Sequence, residues 1–408
     1  METAPPLADL LRRRRFRRLP TAWTSTARPG RAIWLIGGWA VPGLVVGGLA
    51  TGLQAVRTTD GEVAWNWPTP KWAELSAMSD QVVDGVAVAV LVKEGSDRER
   101  TTAVGIEVGT GKELWSYRLT VDDPYSNTPY RWSGPAARAP ALVPGRAVLQ
   151  TGRWAVTLDL RTGTPLQPPW ADPDSTSFEV VASGSDVLQV AHTEREITVR
   201  RLDLERGGVL AETPVPFGGK VESARVVHGA PLVLAVTGAG VHAPEDALFL
   251  FGSEGEVPTQ LPLRGKKFEF HLTDSGLLEQ ELPMVRAGDL LLVPTRPSYG
   301  SDLHVTALDH RDGTVRWHWK SDGELLGLLP AGDSVLALHS YVPTPQEPGS
   351  SHVPGTPTRV TLLDLGTGKV RAKRRYGYYS PTGISYLDGT RLIRLSRYGG
   401  GTSAVELR

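Results

Sequence analysis

Seven times along the chain, a run of alternating apolar residues meets a turn with a glycine and is answered by a second alternating run. The clearest copy is Thr306-Ala307-Leu308-Asp309-His310-Arg311-Asp312-Gly313-Thr314-Val315-Arg316-Trp317. Alternation on both sides of Arg311-Asp312-Gly313 predicts two antiparallel strands, and the glycine supplies the positive φ that a short hairpin loop needs. Trp317 gives the second strand a large apolar anchor. Other copies run Leu53–Trp65, Ala103–Trp115, Thr157–Gly163 and Leu362–Val370, with weaker ones at Arg201–Gly208 and Leu248–Gly255. The glycines at 61, 111, 163, 208, 255, 313 and 368 are spaced by 50, 52, 45, 47, 58 and 55 residues.

A period of that size, with strands rather than helices in each unit, predicts the blades of a β-propeller. The copies approach the pattern A-x-D-x-x-T-G-x-x-x-W, which resembles the repeat of the PQQ-like, or quinoprotein-type, β-propellers. The resemblance covers nearly the whole chain. It implies an architecture more than an activity, since that family includes quinone-dependent dehydrogenases, membrane-protein assembly scaffolds and many binding modules. In the enzymes of the family the quinone site takes a calcium with acidic ligands and, commonly, a disulfide of adjacent cysteines. This chain has no cysteine, and no Asp or Glu can be assigned to that role. Trp65, Trp115 and Trp317 are explained instead as anchors that pack blade on blade, each with its N–H near backbone acceptors. No cofactor is expected, and a quinone-dependent dehydrogenase is the alternative.

A length of 408 residues would ordinarily suggest two or three domains. A closed propeller is one domain whatever its blade number, because each blade buries its faces only against its neighbours. The expected organisation is therefore a basic tail over 1–20 and one propeller over 21–408. Lys+Arg and Asp+Glu are both 44, which argues against a nucleic-acid binder. The tail holds the one strong charge block, Arg12, Arg13, Arg14, Arg15, Arg17 and Arg18, suited to an anionic membrane surface or an acidic partner. Residues 33–56 are uncharged and long enough to span a bilayer. Six glycines and Pro42 cut that run into strand-length pieces, and Leu53–Val56 is the strand that the first hairpin requires. Trp34–Trp39, Leu44–Gly48 and Leu53–Arg57 are read as three strands of blade 1, with no cleavable signal peptide ahead of them. The reading implies a cytoplasmic monomer; a span at 33–56 would instead anchor an extracytoplasmic propeller.

Blade 2 is expected to use Gly85–Val92, Thr102–Val108 and Glu113–Leu119, and blades 3 to 7 follow to the hairpin at Gly368. Gly383–Leu387, Thr390–Leu395 and Thr402–Leu407 then supply three strands of an eighth blade before the chain stops. Thr21–Thr26 is the expected fourth, so the propeller closes with its amino-terminal strand in its last blade. The fold class is thus all-β, a single closed propeller of eight four-stranded blades.

The chemistry-bearing motifs are sparse. Gly109-Thr110-Gly111-Lys112 and Gly366-Thr367-Gly368-Lys369 imitate phosphate loops, but Glu113 and Val370 stand where a magnesium-binding hydroxyl is needed and a strand follows rather than a helix. The nine histidines are scattered without metal-ligand spacing, and His310 and His318, in a hairpin, are read as structural or solvent-facing. Function is expected from the loops. In an antiparallel blade with strands a to d, the a–b and c–d turns share one end and the b–c and d–a connections the other. Four long connections fall in the second set: Lys93–Arg100, Asp122–Pro135, Arg296–Asp302 and Tyr341–Pro357. Tyr125, Tyr130, Arg131, Trp132, Arg296, Tyr299 and Tyr341 on them are residue types enriched at interface hot spots, and predict a face that binds a protein or peptide partner.

Overall fold

The computed structural model describes residues 21–25, 35–93, 101–119, 139–151, 154–167, 170–171, 177–239, 246–252, 257–264, 268–270, 284–297, 304–323, 325–340, 356–379, 383–396 and 402–407. The amino-terminal strand is β1 (Thr21–Ser25). Blade 1 holds β2 (Leu35–Val41), β3 (Leu44–Leu49), β4 (Gly52–Arg57) and β5 (Val63–Pro68). Blade 2 holds β6 (Glu74–Met78), β7 (Val86–Val92), β8 (Thr101–Glu107) and β9 (Lys112–Leu119). Blade 3 holds β10 (Ala141–Val143), β11 (Arg146–Thr151), β12 (Trp154–Asp159) and β13 (Trp170–Ala171). Blade 4 holds β14 (Ser177–Ser183), β15 (Asp186–His192), β16 (Ile197–Asp203) and β17 (Gly208–Pro214). Blade 5 holds β18 (Val221–His228), β19 (Val233–Gly238), β20 (Ala247–Leu250) and β21 (Thr259–Pro262). Blade 6 holds β22 (Phe268–Phe270), β23 (Val285–Ala287), β24 (Leu290–Pro297), β25 (His304–Asp309) and β26 (Val315–Lys320). Blade 7 holds β27 (Leu325–Ala331), β28 (Ser334–Ser340), β29 (Thr356–Asp364) and β30 (Val370–Tyr379), and blade 8 holds β31 (Gly383–Asp388), β32 (Arg391–Ser396) and β33 (Thr402–Glu406).

Each blade is an antiparallel meander, and the eight follow one another as an eight-bladed propeller. Blade 8 is completed by β1, which runs antiparallel to β33 with Thr24 opposite Ser403 and Thr21 opposite Val405. The expected closure is therefore present, and β33 is not left as an edge.

The burial pattern follows from the geometry. Middle strands are covered on both faces by neighbouring blades, so β28 is buried along its whole length and β7 along all but its last residue. Outer strands such as β5 and β17 are largely exposed, because nothing lies beyond them. The buried apolar side chains fall into eight clusters, one in each seam between adjacent blades, as a ring of packed sheets requires.

Three details differ from the sequence reading. Blade 2 begins with β6, a short strand of Glu, Leu, Ser, Ala and Met whose composition carries little strand signal and whose register shifts between Leu75 and Ala77. The first strand of blade 6 is divided between β22 and β23, both paired with β24. In the blade 4 hairpin the residue with positive φ is Gly207 (69°), not Gly208, because the Asp203 turn has the same length as the others. Residues 35–57 form β2 to β4, and among the described residues no helix is long and apolar enough to cross a membrane.

Candidate interaction faces

Among the described residues the c–d hairpins lie at one end of the propeller, and those of blades 3, 4 and 7 are locked by their own repeat residues. Asp159 Oδ1 accepts hydrogen bonds from the amides of Arg161 (3.0 Å) and Thr162 (2.8 Å) and from the Thr162 hydroxyl (2.9 Å). Asp364 Oδ1 accepts from the Thr367 amide and hydroxyl, both at 2.8 Å, and Asp203 Oδ1 from the amides of Glu205 (2.9 Å) and Arg206 (3.0 Å). These donors hold the carboxyls below the usual range, chiefly through the Thr162 amide at Asp159, the Arg206 amide at Asp203 and the Thr367 hydroxyl at Asp364.

Between blades, the tryptophans do what the sequence suggested. Trp65 Nε1 donates to the Val108 carbonyl (2.9 Å), Trp115 Nε1 to Leu160 (2.8 Å) and Trp317 Nε1 to Leu365 (2.7 Å), each acceptor lying in the hairpin of the next blade. The hairpin glycine packs under the ring: a Cβ at Gly163 would stand 2.5 Å from Trp115 Cδ2. Blade 3 has Gln167 at the equivalent place, and its Nε2 reaches the Leu204 carbonyl at 3.1 Å. At the closing seam Arg391 Nη1 takes the matching carbonyl, that of Thr58, at 3.0 Å. Arg161 Nη2 adds a bond to the Asp84 carbonyl (2.8 Å), and Arg146 an ion pair with Glu205 (3.2 Å). This face spends its polar groups on holding the ring together. Thr110, inside the first phosphate-loop imitation, bonds Glu107 at 2.5 Å within the hairpin.

The opposite end carries the b–c and d–a connections. Its best-defined feature is one the sequence reading missed. In the d–a connection from β5 to β6, three backbone bonds (Thr69 N–H to Thr51, Ala73 N–H to Pro70 and Leu75 N–H to Ala50, at 3.0, 3.0 and 2.9 Å) hold a tight turn. That turn displays Trp72 at 46% exposure beside exposed Lys71. A tryptophan outside the repeat pattern, two residues after Pro70, was the available signal. Of the predicted site residues, Arg296 lies half-buried near the end of β24, opposite Glu269 in register. Tyr125, Tyr130, Arg131, Trp132, Tyr299 and Tyr341 lie outside the described residues.

Near this same end a buried histidine, His304, lies beside an exposed one, His318. His304 Nδ1 and His318 Nε2 are 2.7 Å apart, and His318 Nδ1 is 2.9 Å from Thr306 Oγ1, which touches Thr295 Oγ1 at 2.9 Å. Burial, then the neighbouring His304, lowers the His318 pKa. Among the described residues no group of three or more His, Cys, Asp or Glu is placed to hold a metal ion.

No known family model matches the chain, and no curated protein matches it in sequence. Among solved structures, Saccharomyces cerevisiae Sqt1 is 11% identical, with 96% of this chain and 99% of that one covered at a TM-score of 0.53. The WD40 domain of SCAP from fission yeast is 8% identical over 94% and 98% of the two chains (TM-score 0.49). A quinohemoprotein alcohol dehydrogenase from Pseudomonas putida is 12% identical over 95% and 76% (TM-score 0.41). The likeness to Sqt1 shows a shared fold. The β-propeller in the sequence resemblance is thereby supported, and its quinoprotein-specific part is not.

Proposed function

We propose that this protein is a non-catalytic propeller scaffold that binds a protein or peptide partner through the face of the b–c and d–a connections. The observation that supports this most is the contrast between the two ends. The hairpin end is short and internally bonded, whereas the strand pairs Val92–Thr101, Thr295–His304 and Ser340–Thr358 open at the other end onto long connections. Trp72 is a rigidly displayed aromatic at that end, the type of side chain that anchors interfaces. We extend the proposal to the arginine block. Thr21 stands opposite Val405, at the hairpin end of β33, so the chain enters β1 from the hairpin face. An acidic partner or anionic membrane surface contacted by Arg12–Arg18 would leave the connection face outward, on a monomer in the cytoplasm.

The test is cross-linking and quantitative capture of the partner by the full chain, with Trp72→Ala compared with Val315→Ala at the exposed hairpin rim. Loss of capture with Trp72→Ala alone supports the assignment; equal loss with both, or oxidation of an alcohol or sugar by chain reconstituted with pyrroloquinoline quinone and calcium, overturns it. Salt-released recovery of the full chain from anionic vesicles, lost on deleting residues 1–18, checks the arginine contact.

A further inference from the structure

The outer strand pair of blade 7, β29 and β30, carries its charges unevenly. At the hairpin end two cations stand with two carboxylates: Arg371 reaches Asp333 (2.7 Å) and Asp364, and exposed Lys369 lies in the same hairpin. Toward the connection end, Arg359 stands opposite Arg375 and Thr361 opposite Lys373. Side chains alternate across a strand, so Arg359, Thr361, Lys373 and Arg375 share one face. Thr361 is paired with Ala337, which packs in the cluster of Trp317 and Trp319, so this face turns toward blade 6.

The connection from blade 6 brings a carboxylate to these cations. Asp322 Oδ2 is 2.5 Å from Lys373 Nζ and 3.6 Å from Arg359 Nη1, and the shared oxygen shows that both cationic heads reach one ligand atom. Arg375, directly across from Arg359, is exposed, and its guanidinium makes no hydrogen bond or ion pair among the described residues. Like charges facing each other across a strand pair destabilise it unless a counter-charge joins them. Among the described residues, three cations here share the one carboxylate of Asp322, whereas the hairpin end of the same strand pair is balanced two to two.

We propose that the rim of blade 7 nearest the connection face is a docking site for an acidic peptide segment, whose carboxylates bind Arg375 and Lys373 with Arg359 adding charge behind them. The proposal rests on the connection face being the one that binds a partner. Charge complementarity selects the occupant. The whole chain carries 44 basic and 44 acidic side chains, so the excess at this rim is local rather than part of a global field. An arginine fork takes a carboxylate in two parallel hydrogen bonds, and a flexible lysine beside it takes a second. Three cations match a few residues of extended chain; a nucleic acid would call for phosphate contacts repeated along a groove.

The full chain is titrated with fluorescein-labelled hexaglutamate, hexaserine and a single-stranded thymidine oligonucleotide at low ionic strength, following fluorescence anisotropy. Hexaglutamate is expected to bind saturably and hexaserine not at all, with the oligonucleotide weaker than hexaglutamate and the affinity for hexaglutamate falling as salt rises. Arg375→Gln should weaken hexaglutamate binding about fivefold and Arg375→Glu at least about tenfold. Lys369→Gln, which removes the same charge at the other end of the blade, should leave it unchanged. Both Arg375 variants alter an exposed side chain, so their Tm should stay within about 2 °C of the parent, and lost binding then reports the site rather than the fold. An absence of saturable hexaglutamate binding would reduce these cations to protection of a sheet edge and overturn the proposal. Equal binding of the oligonucleotide, or equal losses in Arg375→Gln and Lys369→Gln, would overturn it too. Partner capture that is lost with Trp72→Ala but unaffected by Arg375→Glu would overturn this site alone and leave the connection face as the interaction face.

Discussion

Gly163 and Gly145 share one backbone conformation, with φ of 67° and 73°, but differ in what surrounds them. Nothing lies within 4 Å of a Cβ at Gly145, whereas one at Gly163 would meet the Trp115 ring. Gly145→Ala should therefore cost only the left-handed strain, about 1–2 kcal/mol. Gly163→Ala should cost that plus overpacking, about 3 kcal/mol or more. Urea unfolding of the two variants measures the difference; equal costs would mean that the ring-on-glycine contact contributes nothing. His339 makes a second residue-scale prediction. It is fully buried, 2.8 Å from Thr361 Oγ1 and edge-on to Trp319 with ring centroids 5.7 Å apart. Burial pushes its pKa down from 6.5 to about 4, with Asp322 opposing and Lys373 and Arg359 reinforcing the shift. The unfolded chain takes up this proton near pH 6.5 and the folded chain only near pH 4, so stability falls as pH drops through that window. The loss attributable to His339 is about 3 kcal/mol at full protonation of the unfolded state. His339→Gln should flatten the fall by that order, read as the difference between the two unfolding free energies at about pH 7 and about pH 4.5; a difference that does not vary with pH would exclude the assignment. Neither prediction was legible in the sequence. Gly163 was visible as a turn residue and His339 as an isolated histidine, but the ring beneath one and the seam around the other come from different blades.

At the scale of an element, β1 is the strand on which closure depends. Its register with β33 covers Thr21 to Ser25, and β33 buries Ala404 and Val405 in two different seams. Deleting residues 1–27 should expose the edge of β33 and lower Tm by roughly 10 °C or more, or cause aggregation, while deleting residues 1–18 should shift Tm by no more than about 2 °C. Equal melting of both truncations would refute the closure. The need for this strand could be counted from the sequence, because the last three strands lacked a fourth. By contrast β6 was missed, since Glu74–Met78 is alternating only in outline, and its place is decided by pairing with β7 and packing on blade 1. Local propensity carries little weight in a strand whose neighbours cover it.

For the whole molecule, the topology separates a bonded hairpin end from an end of long connections, and the final prediction tests that division. Replacing Tyr130, Arg131 and Trp132 together with alanine should abolish partner capture and leave Tm nearly unchanged; a large fall in Tm would show that these residues support the ring instead. The sequence by itself determined the repeat, the strand character of each unit, the blade number and which connections share an end. These follow from a short hairpin motif, with its Asp, Gly and Trp, whose interactions are nearly the same in each copy. Only the tertiary structure decided what each seam contains. Trp115 and Gly163 are 48 positions apart on neighbouring blades, and whether they touch depends on which face each strand turns and on the register of its row. Alternation along a strand gives two faces without saying which neighbour either face will meet, and ring closure supplies that choice.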